Sequence, residues 1–267
     1  MGQGKFVMTI YDSIGQQYTK TRIPDLRIVR IITELLNLPQ GSIIGDIGAG
    51  SGSYAQALAN QGFYVNAIEP SFVMRTQASE HPNVKWFTGY AEALPLLDKS
   101  VDAVISILTI HHFFYLEKAF QEMHRVTKSG AIIILTFDIR LAQRIWLYDY
   151  FPCLWEDAMK FIPLDKIVNL IKLNTQRNVE TFPFMLPHDL SDLFAAAAWR
   201  RPELYLNEEV RAGISSFALA NPNLIDTGLK SLETDLNSGK WEQKYGEIRT
   251  LTEIDVGYRF LHATIAK

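Results

Sequence analysis

The stretch Ile43-Ile44-Gly45-Asp46-Ile47-Gly48-Ala49-Gly50-Ser51-Gly52 constrains this chain more than any other. An apolar run short enough for a buried strand ends in an acid and then in glycines at alternate positions. Ser53-Tyr54-Ala55-Gln56-Ala57-Leu58-Ala59 follows as a first helix, with Ser53 placed to cap it. Glycine has no Cβ, so such a strand-to-helix turn lets backbone N–H groups approach a ligand closely. A second apolar run, Tyr64-Val65-Asn66-Ala67-Ile68, stops at Glu69, an acid placed to grip a ribose diol. These pieces predict the nucleotide-gripping half of a doubly wound α/β sheet.

Glycine spacing decides which nucleotide. A dinucleotide fingerprint reads G-x-G-x-x-G, its third glycine letting the helix sit close to the strand. Counted from Gly48 that glycine falls at position 53, where Ser53 stands, which disfavours a nicotinamide dehydrogenase. The chain reads Asp46-x-Gly48-x-Gly50-x-Gly52 instead, and this resembles the first motif of the class I S-adenosylmethionine-dependent methyltransferases, of the small-molecule kind.

The later landmarks of that family follow in order. Val84-Lys85-Trp86-Phe87-Thr88 reads as a third strand, and Gly89-Tyr90-Ala91-Glu92-Ala93-Leu94-Pro95 resembles the family's loop Gly-Asp-Ala-Glu-x-Leu-Pro, with Tyr90 in place of the adenine-binding acid. Either Tyr90 covers the adenine or Glu92 and the local backbone take over. Ser100 to Ile107 resembles the fourth strand, Leu108-Thr109-Ile110-His111-His112-Phe113 the loop beyond it, and Ala131 to Phe137 the fifth strand. The resemblance spans residues 5–140. It implies a Rossmann-like, seven-stranded, mostly parallel sheet with an antiparallel last strand, and S-adenosylmethionine as cofactor. It places Asp46 near the cofactor's ammonium, Gly48, Ala49 and Gly50 under its ribose and methionine part, and Glu69, Pro70, Met74, Tyr90, Ala91, Glu92 and Ser106 around the rest.

Before the first strand, Tyr11-Asp12-Ser13-Ile14-Gly15 leads to Tyr18 and Arg22, and resembles the leader that folds over the cofactor in many family members. Tyr18 then offers a hydroxyl and a flat face, and Arg22 a planar fork for the methionine carboxylate; the plainer reading is a helix packed on the sheet edge. Beyond residue 140 the aromatic run holding Trp146, Tyr148, Tyr150, Phe151, Trp155 and Phe161 suits a substrate cover or a buried hairpin. A sixth strand is expected near Val179–Phe184 and the last at Val256–Ala266, with helices predicted over Asp189–Trp199, Glu208–Ala220 and Ile225–Asn237 between them. The chain therefore divides into an N-terminal helical lid (1–40), a cofactor-binding core (41–140), an aromatic cover (141–163), a core helix and strand (164–184), a helical cap (185–255) and a last core strand (256–267).

A sulfonium methyl is already a strong electrophile, so transfer needs alignment and water exclusion more than a dedicated catalytic group. If a hydroxyl or amine is methylated, a base must take its proton; His111 and His112 are the candidates for that role or for orienting the acceptor. Tyr11, Trp146, Tyr150 and His188 are the expected acceptor contacts. A net charge of -3 and the lack of a basic, aromatic-laced tract argue against nucleic acid as partner. One cysteine, Cys153, excludes an internal disulfide and a cysteine-based metal cluster, and no metal is expected. No membrane-length apolar run or signal-peptide core is present, which points to the cytoplasm. The expected function is methyl transfer to a small organic acceptor; the alternative is a catalytically idle cofactor-binding scaffold or sensor. The acceptor atom and the subunit number are left open.

Overall fold

The computed structural model describes residues 9–265. Residues 1–8 of the expected lid, and Ala266 and Lys267 of the expected last strand, lie outside the described residues. The main sheet contains β1 (Ile43–Ile47), β2 (Tyr64–Ile68), β3 (Val84–Phe87), β4 (Ala103–Ile107), β5 (Ile132–Phe137) and β6 (Arg177–Pro183). A short ladder pairs β7 (Leu186–Pro187) with β8 (Glu253–Ile254), and β9 (Tyr258–Ile265) returns to the main sheet. Strand order is β3-β2-β1-β4-β5-β9-β6. Strands β1 to β5 pair in parallel, while β9 runs antiparallel to both neighbours, setting Leu261 opposite Ile134 and Thr181.

The central strands are apolar on both faces because helices cover both. On one side Ile44, Ile105, Ile133 and Leu135 meet helices Leu26–Leu36 and Ser53–Ala59; on the other Val104, Ile132 and Ile134 meet Leu116–Val126 and Leu164–Thr175. Asp25 caps helix Leu26–Leu36 by accepting from the Arg27 N–H at 2.9 Å, and left-handed Asn37 ends it. The order in which strands are added reverses between the parallel neighbours β1 and β4, opening a crevice at their carboxyl ends where ligands of such sheets bind.

Between β6 and β9 the structure departs from expectation. Glu208–Ala220 divides into Glu208–Ala212 and Ser215–Leu219, and the last expected helix starts earlier, at Pro222. Asp189–Trp199 is not a helix. Its alanines favour helix locally, but its backbone is claimed from outside: Leu193 N–H donates to the Thr21 carbonyl at 3.0 Å, and the Ala195 carbonyl accepts from the Tyr258 hydroxyl at 2.7 Å. The Trp199 carbonyl accepts from the Trp146 indole at 2.6 Å. Tertiary contacts override propensity here.

Candidate active site

A cavity of about 290 Å³ opens at the carboxyl ends of β1, β2 and β4. Its floor is the glycine turn. Gly48 and Gly50 sit at φ +75° and +59°, and a Cβ at Gly48 would lie 2.4 Å from Thr109 Oγ1. A Cβ at Gly50 would meet only the Met74 methyl within 4 Å, so this face is open to a ligand.

Four of the turn's amides are spent internally: Gly48 and Ala49 donate to the Ile68 carbonyl at 2.9 and 3.0 Å, Gly52 to Ala49 at 2.9 Å, and Gly50 to the Glu69 carboxylate at 3.0 Å. A pyrophosphate needs free donors at this point; this turn offers an open surface instead. That corrects the expectation that its N–H groups face the ligand, and it suits a nucleoside joined to an amino acid.

Glu69 also accepts from the Ser71 N–H at 2.8 Å, so both oxygens are fixed while each keeps a lone pair for a diol. Burial pushes its carboxyl up, opposed by these two amides. Asp46, buried in β1, is pushed up to about 7 by burial and then by the Glu69 charge. A ligand ammonium beside it would favour the charged form.

The N-terminal segment lies across this floor. Asp12 accepts from the Ser71 hydroxyl at 2.7 Å, and the Gln77 amide donates to the Gly15 carbonyl at 2.7 Å. Docked this way, Tyr11 and Tyr18 become pocket walls. The Tyr11 hydroxyl lies 2.9 Å from His112 Nε2. Burial raises the Tyr11 phenol and pushes the His112 imidazole down to about 4, so both are neutral at ordinary pH.

Arg22 lines the pocket as expected, but its guanidinium is already engaged by the Tyr18 hydroxyl and by Asp192. The Tyr54 hydroxyl donates to the other Asp192 oxygen at 2.8 Å. Burial works against the Arg22 charge, but the Asp192 carboxylate outweighs it and keeps the group protonated. Buried charges survive only when paired and hydrogen-bonded in this way.

Gly48, Ala49, Gly50, Glu69, Pro70, Met74, Tyr90, Ala91 and Glu92 line the same cavity. Glu92 also accepts the Phe114 N–H at 2.7 Å, tying the loop after β3 to the loop after β4. Other expected positions fall elsewhere. Ser106 sits beneath the floor, donating to the Ile47 carbonyl at 3.1 Å. Asp46 is a buried support rather than a wall. His111, its ring 4.0 Å from that of His112, lines a second cavity instead.

Trp146, Tyr150 and His188 do not reach the pocket. Trp146 packs edge-on against Tyr205 and Trp241 in the core, because its indole needs the Trp199 carbonyl as acceptor. Tyr150 donates to Asp235 at 2.8 Å. His188 follows the β7–β8 ladder, and its neighbour Asp189 is taken by Arg27 at 2.7 Å. Sequence reasoning missed Asp192, Tyr54 and Thr109 as pocket residues. For Asp192 the available signal was an acid interrupting the apolar run Leu190 to Trp199.

A family model described as a methyltransferase domain matches residues 45–135. A solved chain from Anabaena variabilis, provisionally described as a methyltransferase from an antibiotic biosynthesis pathway, is 68% identical. That match covers 92% of this chain and 99% of that one, with TM-score 0.90. A ubiquinone/menaquinone biosynthesis C-methyltransferase of Rubrivivax gelatinosus is 37% identical over 92 residues, 34% of this chain and 37% of the relative. A tRNA (carboxymethyluridine(34)-5-O)-methyltransferase of Arabidopsis thaliana is 29% identical over 143 residues, 49% of this chain and 32% of the relative. The chain thus spans about a third of the length of these two curated relatives. A Haemonchus contortus phosphoethanolamine N-methyltransferase, solved with phosphomonomethylethanolamine and S-adenosylhomocysteine, shares the fold at 17% identity and TM-score 0.56, covering 91% of this chain and 53% of that one. With a glycine turn, an acid clamped after β2 and a covered crevice that fit S-adenosylmethionine as cofactor, the chain belongs to the class I S-adenosylmethionine-dependent methyltransferases.

Proposed function

We propose that the protein moves a methyl group by in-line displacement to a small organic acceptor, releasing S-adenosylhomocysteine. The observation that carries this reading is the Tyr11–His112 pair, joined at 2.9 Å on the wall of the cofactor cavity. When bound, the cofactor supplies an electrophilic methyl on a sulfonium. The chain's own residues then hold, orient and dry the site. Glu69 takes the ribose diol, the buried Asp46 charge attracts the ammonium from beneath the floor, and the Arg22 charge, held in place by Asp192 and Tyr18, attracts the carboxylate. Tyr11 and Tyr18 exclude water and present aromatic edges and hydroxyls to the reacting centre.

Magnitudes bear on what Tyr11 and His112 do. A general base works best with a pKa near the operating pH and contributes about 10²–10⁴ in rate. His112, held at about 4, is a weak proton acceptor, and Tyr11, held high, resists ionisation. The pair therefore suits orienting the acceptor through the hydroxyl. A net charge of -3 and a covered pocket also favour a small acceptor over a polynucleotide.

The test is methyl transfer from tritiated cofactor to hydroxylated aromatic acceptors, with tRNA in parallel. Tyr11→Phe should lower turnover about tenfold, the scale of one hydrogen bond, and leave S-adenosylhomocysteine affinity unchanged. A loss of a thousandfold or more would make the pair a base rather than an orienter. Labelling of tRNA alone would overturn the small-acceptor reading, and binding of cofactor without transfer to any acceptor would favour the idle module.

A further inference from the structure

Behind the two histidines lies a second cavity of about 270 Å³. It is lined by Phe113, Phe137 and Phe161, with His111 in its wall and Glu117 and Lys160, of opposite charge, also lining it. The His111 and His112 rings lie 4.0 Å apart, one facing each cavity, and Phe113 and Phe114 line both. The wall between cofactor and second cavity is therefore about one pair of rings thick. His111 meets Phe161 at 5.2 Å and Phe137 at 6.2 Å, and those two rings meet edge-on at 5.5 Å. Within this aromatic box His111 Nδ1 is shielded from solvent and has no hydrogen-bond partner among the described residues.

A shielded nitrogen without a partner costs the fold unless a ligand supplies one. An apolar cavity of about 150 Å³ accommodates benzene, so this one has room for two fused rings. Aromatic walls prefer flat, apolar partners in offset or edge-on contact.

We propose that the second cavity seats the body of the methyl acceptor, and that this acceptor is a neutral, hydroxylated aromatic of one or two rings whose oxygen pairs with His111. The inference rests on the methyltransferase reading and gives it a substrate class. The acceptor's ring lies among Phe113, Phe137 and Phe161, and its reacting edge points to the cofactor cavity beside Phe113 and Phe114, which line both. Burial holds His111 uncharged, which suits a neutral guest over an anion.

The test uses the full chain saturated with S-adenosylhomocysteine, with 2-naphthol as a fluorescent probe and naphthalene as its hydroxyl-free counterpart. Phe161→Trp fills the cavity and should weaken 2-naphthol binding tenfold or more without changing S-adenosylhomocysteine affinity. Naphthalene should bind about tenfold more weakly than 2-naphthol to the wild type, and equally to His111→Leu; His111→Gln, which keeps a polar group, should restore part of the preference. Unchanged 2-naphthol affinity in Phe161→Trp, or equal binding of both probes to the wild type, overturns the inference while the cofactor reading stands. Failure of the wild type to bind S-adenosylhomocysteine at all overturns the methyltransferase reading as well.

Discussion

Residues 43–92 and residues 185–255 both serve the active site, by opposite means. In the first, ligand-facing groups are set by neighbours in sequence: a strand ends, glycines turn, and Glu69 is clamped by amides of Gly50 and Ser71. In the second, single long-range contacts position the chain, such as Asp192 on Arg22 and Tyr54, and the Trp199 indole on the Leu186 carbonyl at 3.1 Å. Local geometry makes a cradle that tolerates change elsewhere. Long-range contacts make a wall whose position depends on a few side chains.

The largest effect that would sharpen this contrast is Trp146→Ala. Removing a buried tryptophan costs about 3–5 kcal/mol, and here it also strands the Trp199 carbonyl. Urea unfolding should register that loss, while calorimetry finds S-adenosylhomocysteine affinity of the folded protein within about threefold of wild type. Unchanged stability with lost acceptor binding would return Trp146 to the substrate site.

Asp192→Ala should come next, at about 3 kcal/mol, because it leaves the Arg22 charge buried beside Tyr18. Thermal unfolding with saturating S-adenosylhomocysteine should recover part of the deficit, since the ligand carboxylate can replace the lost partner. A deficit that is identical with and without ligand would separate Arg22 from the cofactor.

Gly48→Ala acts on the cradle alone. Its Cβ would sit 2.4 Å from Thr109 Oγ1 at φ +75°, and cofactor affinity should fall by about a hundredfold, near 2.7 kcal/mol. Affinity within threefold of wild type would break the local account of the cradle.

The smallest effect is a pH dependence. With Asp46 held at about 7, the folded chain keeps a proton that the unfolded chain has lost above the ordinary carboxyl value. Stability of the ligand-free protein from this group therefore falls as pH rises towards about 7 and levels off above it. A cofactor ammonium needs the carboxylate, so affinity should rise about tenfold between about pH 6 and about pH 8. Titrations of Asp46→Asn should be flat over that range; an equal slope in the variant would assign the dependence to another group.

The contrast also explains how much was readable in advance. Strands β1 to β5, the glycine turn and Glu69 follow from periodicity, glycine spacing and short loops, which act within a few residues, whereas Pro70, Met74 and the walls from Tyr90 to Glu92 follow from the family resemblance. Tyr11, Tyr18, Arg22 and His112 were identifiable as residue types, although not their pairing. Asp189–Trp199 was misread because four consecutive alanines look helical until Thr21, Trp146 and Tyr258 claim that backbone. Trp146 and Tyr150 were misplaced for a related reason: aromatic density does not say which rings face a core and which a ligand. Phe161, from the same run, does line a cavity.

A crystal structure of the protein with S-adenosylhomocysteine bound tests the central claim most directly. The account predicts the ribose hydroxyls on the Glu69 carboxylate, the ammonium on the Asp46 side, and the sulfur turned towards Tyr11 and His112. A ligand bound with its sulfur away from that pair, or with Glu69 bonded only to Gly50 and Ser71, would contradict it.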